Sequence, residues 1–260
     1  MTECLVWFVN GCLIGDNVMN NNESFVGRLK KYCQSLLSYP QVGGHSPLFT
    51  LPAEPFGQGD TERCIEIPWA VSCYRGEKRV LDIGYANAED RYLSELLSLN
   101  IPQLFGIDMV PKNYPGIISV IGDIRSTSFP DVFFDLVFCI STIEHIGRDN
   151  SVYHIPYVGE DNEGDFKALQ EIYRIVKPCG RVVITVPYGK SYDYGWFIHY
   201  DDARLQRLVE SSKFSIIQED YFIYKSGWRK CDKSELVNTL YQDDDAPAAT
   251  GLACILLEKR

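Results

Sequence analysis

Positive charge is scarce in this chain: 25 lysines and arginines stand against 35 aspartates and glutamates, a net charge of −10. The basic residues form no cluster, so a broad phosphate-binding face is excluded and nucleic acid is not an expected partner. A long hydrophobic run is also missing. The apolar stretch from Leu5 to Gly15 is about half a membrane span, and Glu3 precedes it where a leader would carry basic residues. No segment is expected to cross or enter a membrane. The nine cysteines include no CxxC pair and are odd in number. They signal neither a disulfide framework nor structural zinc, and a reducing, cytoplasmic setting is expected. Gly-x-Gly-x-x-Gly, the dinucleotide fingerprint, does not occur.

What is present is the composition of a soluble globular protein, 45% hydrophobic and 23% charged. Residues 1–62 are expected to form an N-terminal extension. Ser24–Tyr39 alternates apolar and basic positions at helical spacing, and the Pro- and Gly-bearing "YPQVGGHSPLFTLPAEPFGQGD" then makes an irregular connector. From Lys78 the pattern becomes regular. "KRVLDIG", "QLFGID", "GIISVIG", "FDLVFCI" and "GRVVITVPY" are strands, with helices expected over 88–99, 165–176 and 201–211. Continuous apolar strands alternating with helices imply an α/β, Rossmann-like doubly wound sheet, parallel and covered on both faces. "FSIIQEDYFIYK" and "GLACILLEK" have no crossover helix between them, only the polar segment 226–250, so they are expected to pair antiparallel.

In such sheets the ligand lies beyond the carboxyl ends of the central strands. In "VLDIGYANAED" the first strand ends on Asp82, and Gly84, Ala86 and Ala88 follow at alternate positions. The turn leaves no room for a pyrophosphate, which favours a cofactor without phosphates. Asp108 ends the second strand, 24 residues after Gly84, near the spacing at which a carboxylate accepts both hydroxyls of a ribose. Asp123 follows the third strand, beside Ile124. Any one of these aspartates fits an ordinary turn or helix cap. Three acidic strand ends in register are harder to explain so.

Five segments, "VLDIGYANAE", "FGID", "GDI", "FPDVFFDLVFCISTIEHI" and "EIYRIVKPCGRVVITVPYG", resemble in order the motifs of class I S-adenosylmethionine-dependent methyltransferases, in the small-molecule, type 11-like branch. The likeness covers roughly residues 63–225. It implies seven strands with an antiparallel last strand, a domain over 63–260, a lid insertion at about 147–164, and S-adenosylmethionine as cofactor. Asp82, Gly84, Tyr85 and Ala86 would hold the methionyl part, Asp108 and Met109 the ribose, Asp123 and Ile124 the adenine. Ser141 would lie beside the sulfonium, and Arg63 either meets the cofactor carboxylate or is a surface charge on a helix packing through Ile65 and Trp69. Ala86 and Ala88 depart from the family's glycines. Related enzymes that bind a metal carry a glutamate where Ser141 stands, so no metal is expected.

Methyl transfer is an in-line displacement, and the protein mainly aligns the reactants and excludes water. For a hydroxyl acceptor, a base must also take the proton. Glu144 and His145 follow the fourth strand at the expected rim, and His145 reads either as that base or as a structural histidine fixing the loop. His199, with Tyr188, Trp196 and Tyr200, either walls a substrate pocket or covers the sheet edge. The expected reaction is methylation of a small polar acceptor, at oxygen rather than nitrogen, with sugars, glycans or natural-product precursors as analogues. The alternatives are a non-catalytic binding scaffold and a nucleotide-cofactor oxidoreductase. Residues 1–62 either cover the site or mediate a homodimer.

Overall fold

The computed structural model describes residues 49–51, 54–155, 157 and 159–260. The helix expected over 24–39 lies outside the described residues. Five strands run parallel: β1 (Arg79–Ile83), β2 (Gln103–Asp108), β3 (Ile118–Ile121), β4 (Phe134–Ile140) and β5 (Val176–Pro187). A short hairpin, β6 (Tyr192–Asp193) and β7 (Ile198–His199), stands apart. β8 (Ser215–Tyr224), β9 (Trp228–Cys231) and β10 (Gly251–Glu258) complete one eight-stranded sheet ordered β3-β2-β1-β4-β5-β10-β8-β9. β10 inserts antiparallel between β5 and β8, as the missing crossover helix requires.

The expectation of seven strands is corrected by β9. Its sequence, WRKC, carries no apolar run to announce it, and it exists because the β8 edge offers a backbone ladder to pair with. Arg229 and Lys230 on this edge discourage further pairing.

The two faces of the sheet follow from side-chain alternation along each strand. Leu81, Val137 and Ile184 face α3 (Gly164–Ile175) and α4 (Asp202–Ser212), whose Leu169, Ile172, Leu205 and Leu208 share their core cluster. Val80, Leu136, Phe138 and Val183 face α1 (Arg63–Ser72) and α2 (Asp90–Ser98), packing with Ile65, Trp69, Leu93 and Leu96. In α2, Tyr92, Leu93 and Leu96 make the single apolar stripe that buries it. α4 starts at Asp201, whose side chain accepts from the Arg204 N–H at 2.8 Å. α1 is pinned at its far end, where the fully buried Trp69 donates from Nε1 to Asp220 at 2.8 Å. Among the described residues no helix is long and apolar enough to cross a membrane.

β1 has β2 on one side and β4 on the other, so the chain's direction of travel reverses there. The connections leaving these strands diverge at their carboxyl ends and open a crevice.

Candidate active site

The turn after β1 forms one wall. Gly84 is left-handed (φ 84°), and a Cβ there would sit 2.8 Å from Thr142 Oγ1, so both conformation and space demand glycine. Its N–H donates to the Ile107 carbonyl at 3.0 Å, and Thr142 Oγ1 donates to the Ile83 carbonyl at 3.2 Å. The ends of three strands are thereby tied together. The helix expected from Ala88 begins at Asp90, because the turn first makes a single tight helical loop over Tyr85–Asn87.

Asp108 supports that loop. Its carboxylate accepts from the Ala86 N–H at 3.1 Å and the Val110 N–H at 3.0 Å. Burial raises its pKa, and those same N–H groups work in the other direction. Asp82 lies deeper: Tyr92 OH donates to Oδ1 at 2.7 Å, while Oδ2 is buried in the cavity wall with no partner among the described residues. Burial, with a contribution from Asp108, raises its pKa to about 7. Asp123 stands two residues beyond β3, gripped by the Arg125 guanidinium at 2.6–3.1 Å. Burial opposes its charge, but Arg125 overcomes this and lowers its pKa.

The raised pKa of Asp82 has a measurable consequence. Its folded value lies above its ordinary 3.8, so ionisation costs stability, beginning near pH 4 and levelling off above pH 7. Asp82→Asn keeps an acceptor for Tyr92 and cannot ionise. The cofactor-free variant is therefore expected to gain on the parent as pH rises through that window, by up to about 4 kcal/mol. Denaturant melts at pH 4.5 and 7 measure the difference, and a constant gap would disprove the linkage.

A carboxylate that sequence reading passed over organises the opposite wall. Glu66, fully buried on α1, is ion-paired with Arg63, and its Oε2 accepts from Ser141 Oγ at 2.7 Å and Thr185 Oγ1 at 2.6 Å. One side chain thus ties α1 to the ends of β4 and β5. The available signal was the i, i+3 spacing of Arg63 and Glu66 on a helix before the core. Burial opposes the Arg63 charge, yet Glu66 and Glu62 more than compensate and raise its pKa.

Arg63, Asp82, Gly84, Asp108, Met109, Asp123, Ile124, Ser141 and His145 all line this one cleft. Three expectations are corrected. Tyr85 does not face it: its ring is fully buried beneath Gly106 and its hydroxyl donates to the Lys112 carbonyl. His199 is buried outside both cavities, its Nδ1 2.8 Å from the Lys190 carbonyl, because the β6–β7 hairpin turns it inward. Ala86 contributes its N–H to Asp108 rather than a surface to the cleft.

A second cavity adjoins the first, and Arg63, Asn87, Glu89, Ser141, His145 and Tyr153 line both. Glu144 lines only the second. His145 Nδ1 lies 2.9 Å from the Trp196 carbonyl, an acceptor, so Nδ1 carries the proton and Nε2 is the acceptor nitrogen. Burial lowers its pKa to about 4, leaving the ring neutral at physiological pH. Gly147, Arg148, Asn150, Tyr153 and Ile155 line the first cavity, and their segment is pinched where Asp161 N–H donates to the Gly147 carbonyl at 2.9 Å. Arg148 fastens the loop to the hairpin through Asp193 at 3.0 Å. Asn87, Tyr153 and Tyr241, absent from the sequence-level candidates, complete the walls.

Residues 81–184, from β1 into β5, match the family model described as a methyltransferase domain. Over this segment the chain is similar to a methyltransferase domain. No curated protein matches the chain. Among solved structures it is similar to a SAM-dependent methyltransferase of Methanosarcina mazei, at 16% identity and TM-score 0.48, over 72% of this chain and 94% of that one. It is also similar to the 1,6-didemethyltoxoflavin-N1-methyltransferase of Burkholderia thailandensis, at 14% identity and TM-score 0.47, over 71% and 72%. The cleft suits S-adenosylmethionine, the cofactor that the sequence resemblance implies. The orphaned Asp82 Oδ2 awaits a donor such as an α-ammonium.

Proposed function

We propose that the protein transfers the methyl group of S-adenosylmethionine to a small polar molecule held in the second cavity. The observation that carries this reading is the meeting of the two cavities across Ser141 and His145. In the cleft, Asp108 and Asp123 are the groups for the ribose and adenine, and Asp82 and Arg63 for the amino acid end. The bound cofactor supplies an electrophilic methyl group. The protein's task is then alignment and exclusion of water. The loop at 147–164 serves as the cover, and the Glu66 network fixes Ser141 and Arg63 at the junction.

His145 Nε2 accepts the proton of the attacking group. A neutral imidazole needs no prior deprotonation to do so. His145→Ala is expected to lower turnover roughly 100-fold or more while S-adenosylhomocysteine affinity stays within about twofold. An unchanged rate would remove the residue from the chemistry.

The direct test is calorimetric titration with S-adenosylhomocysteine and with NAD, followed by labelled S-adenosylmethionine offered to metabolite pools. Binding of the first compound alone, with label entering a small molecule, is the expected result. NAD binding would point to an oxidoreductase. Cofactor binding with a persistent blank would leave a scaffold. Sequence analogy favours an oxygen acceptor, but the lining of the second cavity favours a different atom.

A further inference from the structure

The second cavity is unusual in charge and in its walls. Glu62, Glu89, Glu144, Asp149 and Glu160 line it, while its guanidinium, Arg63, is held by Glu66. Its apolar surface is aromatic, from Tyr153, Tyr194, Trp196, Phe197 and Tyr241. Trp196 lies 5.2 Å from the His145 ring, and Tyr194 stacks on Phe197 at 4.7 Å. Carboxylates alone make only an acidic surface, but one of these groups is more specific. Glu144 is 1% exposed, its Oε2 is buried with no hydrogen-bond partner among the described residues, and its Oε1 stands 4.0 Å from His145 Nε2. A buried, unpartnered acceptor in a cavity wall is costly unless a ligand supplies the donor. Aromatic faces around a carboxylate are the surroundings that recognise an organic cation.

We infer that the second cavity is the acceptor site and takes a primary or secondary amine as its ammonium ion, paired with Glu144 against the aromatic walls. This inference rests on the methyl-transfer reading and names its substrate class. Burial pushes the Glu144 carboxyl well above the usual range, with Glu66 and Glu62 adding to the shift and Arg63 opposing it. Glu144 holds the ammonium while one proton passes to His145 Nε2, 4.0 Å from Oε1, freeing the nitrogen lone pair. That pair forms the N–C bond while the C–S electron pair withdraws onto sulfur. Positive charge thus leaves the sulfonium and appears on the methylated nitrogen.

Two matched pairs of probes test this. Protein shown by calorimetry to hold S-adenosylhomocysteine is titrated with phenethylamine against 2-phenylethanol, and with tryptamine against tryptophol. Each amine is expected to bind at least about tenfold tighter than its alcohol, the worth of one charge-assisted hydrogen bond. In Glu144→Gln the gap should shrink to about twofold. Equal binding of amine and alcohol, tighter binding of the alcohol, binding of neither, or an amine preference that survives in Glu144→Gln would overturn the inference and leave methyl transfer standing. Should the glutamine variant fail to fold, the ratio measured on the parent protein decides alone. Parent protein that cannot hold S-adenosylhomocysteine overturns both readings.

Discussion

Asp108→Ala is expected to reduce S-adenosylhomocysteine affinity roughly 100-fold or more, read by calorimetry. Two effects combine. In the proposed function the carboxylate lost is the acceptor for the two ribose hydroxyls, and hydrogen bonds to a charged group contribute about 1.5–3 kcal/mol each. The same carboxylate also holds the Ala86 and Val110 N–H groups. Without it the Tyr85–Asn87 loop loses its tether, and the wall next to Gly84 loosens. Asp108→Asn should fall between, since its amide oxygen can serve one N–H while its NH2 opposes the other. The fold should persist in both, because the strand core beneath is apolar and untouched. Full affinity in the alanine variant would remove Asp108 from the cofactor site.

The largest effect on stability is expected at Glu66. Glu66→Ala leaves the Arg63 guanidinium without its counter-ion and strips the acceptor from Ser141 and Thr185. Breaking one side of a buried ion pair costs about 3–5 kcal/mol. For a domain of this size that is a fall in Tm of roughly 10 °C. Glu66→Gln retains volume and an acceptor but not the charge, and should lose less. The decisive measurement is a double-mutant cycle with Arg63→Met. If the pair is coupled as the geometry states, removing both charges costs at least about 1 kcal/mol less than the sum of the single losses. Additive losses would show that Glu66 acts through its hydroxyl partners alone.

How much of this was legible beforehand depended on whether the signal was local. Strands β1, β2, β4 and β5 announced themselves because a strand buried on both faces must be apolar throughout. The antiparallel insertion of β10 was legible from the missing helix between two extended runs. β9 was not, since a four-residue edge strand with charged side chains has no pattern of its own. Asp82, Gly84, Asp108 and Asp123 were legible as candidates because sheet topology brings strand ends to one edge. Tyr85 and His199 failed for the opposite reason. Neighbours in sequence to a site need not share its orientation, and the tight loop and the hairpin turned both inward.

The chain's own order of residues determined the alternation of strands and helices, the glycine turn and the acidic strand ends, since each rests on periodicity or on backbone conformation within a few residues. Tertiary structure alone decided that Glu66 would gather Arg63, Ser141 and Thr185, and that Glu144 would be left without a partner in an aromatic wall. Those facts depend on groups as many as 119 residues apart meeting in a space closed to water. Burial there sets whether a carboxyl is charged, paired or waiting for a ligand, and burial is a property of the folded whole.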